Sequence, residues 1–231
     1  MKIGILGCSW SFQSYQKLPD GKETSGSYTF QQMFSDHGIE CVNLSKPAGS
    51  NNDILHRLRT TQTKSFDKII IFQTDPLRDI FDRNQINFQT IDRKLFSCQN
   101  IDQISEALLS EFYQKLLSWS DRILLIGGLS KICQEILPSS FSFVDRSWTE
   151  LVCSDFSDCY YEWYEMTEAV IDQYSMHLDW IDVDSMKFEV KKNIYTKNKL
   201  WQDSNSFSWC HPGDGAYQTM FTQLCKQLRI G

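Results

Sequence analysis

Met1-Lys-Ile-Gly-Ile-Leu-Gly-Cys-Ser-Trp-Ser-Phe12 is the stretch from which the fold is read. Lys2 to Leu6 is a short, mostly apolar run of the kind that fills the middle of a parallel sheet. It stops at Gly7-Cys8-Ser9, a turn of small residues that can set a hydroxyl at the carboxyl end of the strand. In open α/β sheets that end is where ligands bind. Ser9 is then expected near the N-terminus of the next helix, where backbone N–H groups favour negative charge. Two roles fit Ser9 at this point. It is either a nucleophile with oxyanion donors beside it or a helix N-cap, for which serine is a preferred residue.

Working outward, Asp67-Lys-Ile-Ile-Ile-Phe72 is the clearest central strand, with β-branched residues in a row. It ends in Gln73-Thr74-Asp75-Pro76, where proline stops the ladder. Further strands are expected over Gly38 to Leu44, Arg122 to Gly127 and Trp180 to Val183. Helices are expected over Tyr28 to Phe34, Ile54 to Thr61, Ile104 to Trp119, Tyr160 to His177 and Ala216 to Leu228. Between them lie a polar loop (Lys17 to Ser27), a turn-rich loop (Ser45 to Asp53), a polar excursion (79 to 103) and an ambiguous aromatic segment (141 to 155). Strands alternating with helices at this spacing imply a parallel sheet covered on both faces. With no internal repeat or interdomain linker in view, 1–231 is expected to form one α/β domain. Segments 79–103 and 141–160 are candidates for a lid or insertion.

Composition narrows the partners. The 231 residues carry a formal net charge of −6, which disfavours nucleic acid and anionic membranes as general partners. No apolar run has transmembrane length, and the first residues lack a signal-peptide pattern, so a cytoplasmic protein is expected. The eight cysteines include no CxxC pair and are expected to be mostly free thiols packed as small hydrophobes. Cys153, Cys159, Cys210 and His211 have no compact zinc spacing, so neither a metal nor another cofactor is expected. The run Tyr160, Tyr161, Trp163 and Tyr164 suits core or interface, and His37, His56 and His177 read as structural or surface residues.

Four polar turns fall at strand ends or before the last helix. They are Gly7-Cys8-Ser9, Gly49-Ser50-Asn51-Asn52, Gln73-Thr74-Asp75 and His211-Pro212. In this order, from Ser9 to His211, they resemble the SGNH (GDSL-type) hydrolase family. The resemblance implies a flavodoxin-like three-layer α/β/α sandwich with a central, mainly parallel sheet. It implies Ser9 as nucleophile and as one oxyanion donor through its backbone N–H, Gly49 as a second donor, and His211 as general base. The chemistry needs these types, because a serine hydroxyl attacks only when a neutral imidazole can take its proton. The tetrahedral oxyanion then needs preorganised donors.

Two positions depart from the family's pattern. Thr74 stands where the family has an asparagine, so Thr74 and Gln73 are alternative third donors. Ser208 stands where the family has the aspartate that orients the histidine. Asp203 or Asp214 could replace it, or a backbone carbonyl could, giving a Ser–His dyad. Asn51 and Asp75 are further site candidates. The resemblance implies an esterase acting on a short acyl ester, such as O-acetyl on a carbohydrate or small molecule. The alternatives are an O-acyltransferase using the same site, or a catalytically degraded module that binds a glycan or a protein. A nucleotide-binding protein is disfavoured, because the first turn has neither GxGxxG nor P-loop spacing.

Overall fold

The computed structural model describes residues 1–17, 23–47, 49–74, 76, 79, 101–128, 132–148, 151, 207–208 and 211–230. Five strands form the main sheet: β1 (Lys2–Leu6), β4 (Glu40–Asn43), β5 (Lys68–Gln73), β6 (Ile123–Gly127) and β7 (Ser142–Phe143). Their order is β4-β1-β5-β6-β7, and every pairing in it is parallel. The remaining described strands form two small antiparallel pairs. One is β2 (Tyr15–Lys17) with β3 (Glu23–Ser25), the other β8 (Phe207–Ser208) with β9 (His211–Pro212).

Alternation along the strands builds two cores. Ile70 and Phe72 of β5 and Leu124 and Ile126 of β6 face α1 (Phe30–Asp36) and α4 (Asp214–Leu228). Their neighbours Ile69, Ile71, Ile123 and Leu125 face α2 (Asn51–Thr60) and α3 (Ile101–Leu116). With a period of two, one continuous apolar run serves both faces. The result is a parallel α/β sheet between two helical layers.

Several elements differ from the sequence expectation; α3 begins at Ile101 rather than Ile104, and α4 at Asp214 rather than Ala216. No full helix follows Ser9; a single 3-10 turn (Ser9–Ser11) does, and the chain then enters the β2–β3 hairpin. The Ser11 and Ser14 side chains bond backbone groups in this stretch, a competition that disfavours a helix. The first α-helix begins only at Phe30, where Thr29 caps Gln32 N–H. Helix α2 starts at Asn51 rather than Ile54, because Ser50 and Asp53 form a reciprocal capping box. The ambiguous segment after Phe141 supplies the edge strand β7 and the fully buried Trp148. The helix over 160 to 177 with its aromatic run, the strand over 180 to 183, and most of 79–103 and 141–160 lie outside the described residues. No described helix is long and apolar enough to cross a membrane.

Candidate active site

In this strand order the direction of winding reverses between β1 and β5, and the carboxyl ends at such a reversal are where open α/β sheets bind ligands. The turn after β1 lies there. Gly7 has no room for a side chain, since a Cβ there would lie 2.9 Å from Phe72 Cβ and 2.2 Å from Ser11 Oγ. Ser11 Oγ donates to the Cys8 carbonyl at 3.1 Å and pairs with Ser45 Oγ at 2.8 Å. Asn43 Nδ2 donates to the carbonyls of Ser11 and Phe12, and Tyr217 Oη donates to that of Trp10 at 2.6 Å. The turn bearing Ser9 is thus fixed from β4 on one side and α4 on the other.

Ser9 is buried, and its side-chain cap role is not the one it takes. Cys8 precedes the 3-10 turn, with no side-chain cap. Instead Ser9 Oγ lies 3.0 Å from His211 Nε2, across 202 residues of sequence. His211 reaches this place from β9, just ahead of α4. Its ring stacks on Tyr15 of the hairpin, with centroids 4.2 Å apart and planes 26° apart.

The loop after β4 lies against the same turn. Lys46 N–H donates to the Gly7 carbonyl at 3.0 Å, and a Cβ on Gly49 would come within 3.4 Å of that carbonyl oxygen. Gly49 N–H, expected as an oxyanion donor, donates to the Lys46 carbonyl at 2.9 Å. At the end of β5 the two alternative donors differ. Thr74 gives both its hydroxyl (3.1 Å) and its N–H (3.0 Å) to Asn51 Oδ1, while Asn51 Nδ2 donates to the Thr74 carbonyl. Gln73 accepts from Tyr113 Oη at 2.6 Å, and its buried Nε2 has no hydrogen-bond partner among the described residues.

Of the two acids considered for orienting His211, Asp203 lies outside the described residues, as does Asp75. Asp214 is engaged by the hairpin. Its Oδ1 accepts from Ser14 Oγ (2.6 Å) and Ser27 N–H (3.0 Å), and its Oδ2 from Gln16 Nε2 (3.1 Å). Burial opposes its charge, but these bonds together outweigh burial and hold the carboxyl below its usual range.

Tyr15, Tyr217 and Asp79 were missed from the sequence. Asp79 accepts from Asn52 N–H at 2.8 Å at the start of α2. Burial pushes its carboxyl up to about 7, against the lowering effect of the bonds from Asn52 and Ser50. Cys8, Cys41, Cys133 and Cys225 are free thiols, and burial pushes Cys41 up to about 12. Among the described residues no group of three or more His, Cys, Asp or Glu is set to hold a metal ion. Cys153, Cys159 and Cys210 lie outside them.

No family model and no curated protein matches the chain. Among solved structures it is similar to a lipase/acylhydrolase from Enterococcus faecalis, at 12% identity and TM-score 0.45, over 99% of this chain and 96% of the other. A catalytic mutant of an acetylxylan esterase from Geobacillus stearothermophilus is 11% identical at TM-score 0.42, over 98% and 93%. A psychrotrophic esterase from Pseudoalteromonas sp. is 14% identical at TM-score 0.39, over 99% and 98%. Likeness at this level says nothing of the site or its chemistry.

Proposed function

We propose that this protein is a serine ester hydrolase in which Ser9 attacks the acyl carbon and His211 carries the proton. The observation that supports it is the 3.0 Å separation of Ser9 Oγ and His211 Nε2 at the carboxyl end of β1. With a neutral imidazole, the Ser9 hydroxyl donates to Nε2 and becomes nucleophilic. Its oxygen bonds to the carbonyl carbon while the proton passes to Nε2. Collapse of the tetrahedral species breaks the ester C–O bond, and the leaving alcohol takes that proton. Water, deprotonated in turn by His211, then cleaves the acyl-enzyme.

Donors to the oxyanion come from three places. Ser9 N–H opens the 3-10 turn, ahead of the first amide that the turn itself uses. Gly49 N–H serves once it exchanges the Lys46 carbonyl for the substrate. Gln73, rather than Thr74, is the third donor, because its Nε2 is unengaged among the described residues whereas the Thr74 hydroxyl is held by Asn51. The substrate class, a short acyl ester such as O-acetyl on a carbohydrate or small molecule, follows from the SGNH resemblance. A sugar hydroxyl in place of water would make the same site an O-acyltransferase.

The test is hydrolysis of p-nitrophenyl acetate together with labelling by a fluorophosphonate probe. Wild-type protein should turn over the ester and take the label, and Ser9→Ala or His211→Ala should lower kcat by about 10⁴- to 10⁶-fold. A second reading, a degraded module that binds a glycan or protein, is favoured by Ser208 in the aspartate's place and by the Gly49 N–H bond to Lys46. Folded wild-type protein that neither labels nor hydrolyses across a range of pH would establish that reading instead.

A further inference from the structure

His211 and Tyr15 belong to a closed ring of contacts. From His211 the chain runs through Pro212 and Gly213 to Asp214, the first residue of α4. The Asp214 carboxylate binds the side chains of Ser14 and Gln16, the two residues flanking Tyr15. Tyr15 then stacks on His211, which closes the ring. The hairpin is braced further by Ser14 N–H on the Tyr28 carbonyl, Tyr28 N–H on Ser14 Oγ, and Gly26 N–H on the Ser14 carbonyl.

We infer that Tyr15 is a positioning residue for the His211 imidazole, and that Asp214 acts on His211 through Tyr15. This rests on the reading of His211 as general base. A general base must keep one ring nitrogen aimed at the nucleophile, and a near-parallel ring 4.2 Å away blocks rotation of the imidazole about its bond to Cβ. The tyrosine face, negative through its quadrupole, also favours the positive charge that the imidazole takes on as Ser9 is deprotonated. Both effects belong to the ring and not to the tyrosine hydroxyl. Phenylalanine should therefore serve, and an aliphatic side chain should not.

Two measurements test this, one of them independent of turnover. In histidine-selective NMR, assigned with His211→Gln, the His211 ring signals of wild-type protein should lie upfield through the Tyr15 ring current. They should stay there in Tyr15→Phe and move downfield in Tyr15→Leu. In Asp214→Ala, which leaves both rings intact, they should move part of the way, while His37 and His56 signals stay fixed as controls of fold. With p-nitrophenyl acetate, kcat should fall about 10-fold in Tyr15→Leu at unchanged KM and recover in Tyr15→Phe. His211 signals alike in wild type, Tyr15→Leu and Asp214→Ala would overturn the inference, as would a Tyr15→Phe variant as impaired as Tyr15→Leu. Should Tyr15→Leu fail to fold, Asp214→Ala and Tyr15→Phe decide the matter. Wild-type protein without activity but with the upfield signals removes the hydrolase reading and leaves the stack in place.

Discussion

Gln73 divides its carboxamide, with Oε1 accepting from Tyr113 and Nε2 buried and unpartnered among the described residues. A buried donor left unmade costs about 1–3 kcal/mol, so such a group calls for a reason. Binding the oxyanion of a substrate would supply one. Gln73→Leu alone would strand the Tyr113 hydroxyl, so the informative variant is Gln73→Leu with Tyr113→Phe, where both partners become apolar together. Tyr113→Phe also removes the oxygen bonded by the Cys133 backbone, so Tyr113→Phe alone is the control, and relative to it kcat toward p-nitrophenyl acetate should fall about 10²- to 10³-fold in the double variant. An unchanged kcat would remove Gln73 from the site.

The turn after β1 is the element on which the proposed chemistry depends, and Gly7 is its tightest point. Ala at this position would press its Cβ against Phe72 Cβ and the Ser11 hydroxyl. We expect Gly7→Ala to cost about 1–3 kcal/mol in urea unfolding and to slow fluorophosphonate labelling of Ser9. Wild-type values in both assays would show that the turn yields more easily than its packing implies. The strands β1, β5 and β6 were legible because continuous apolar runs have few other uses. The start of α2 was not taken from the sequence, although Ser50 and Asp53 stand at the spacing of a capping box. Ser9, Gly49 and His211 stood out by type and order. Tyr15 did not, because its strand has three residues and its role comes from a ring contact. The hairpin did leave a signal, the Asp20-Gly21 pair between Tyr15–Lys17 and Glu23–Ser25. A two-residue edge strand such as β7 leaves none.

At the scale of the whole molecule, the two helical layers bury charged groups along with apolar ones. Asp79 is the clearest case, half-buried against α2, with Asp53 adding to its difficulty and Lys115 of α3 easing it. Its folded value of about 7 lies above the ordinary value near 3.9. The folded state therefore holds its proton more tightly than the unfolded chain does. The stability linked to that proton is complete below about pH 3.9 and is lost as pH rises through about 7. Asp79→Asn keeps an oxygen for Asn52 N–H and cannot ionise. It should exceed wild type in stability by about 1–3 kcal/mol at pH 8 and by much less at pH 5, as read by urea titration. Equal differences at the two pH values would mean that Asp79 is ionised in the folded state at both, its hold on the proton not raised by folding. No pattern in the sequence marks this residue, since its burial comes from tertiary packing.

The separation of 202 in sequence from Ser9 to His211 has a consequence for how the protein is made. A ribosome releases the hydroxyl 202 residues ahead of the imidazole. While that stretch is made, the nascent polypeptide holds the alcohol without its imidazole, as strands β4, β5 and β6 are laid down. Fragments cut anywhere between the two would share that lack, so uptake of a serine-directed probe would gauge completed assembly rather than mere presence of the chain.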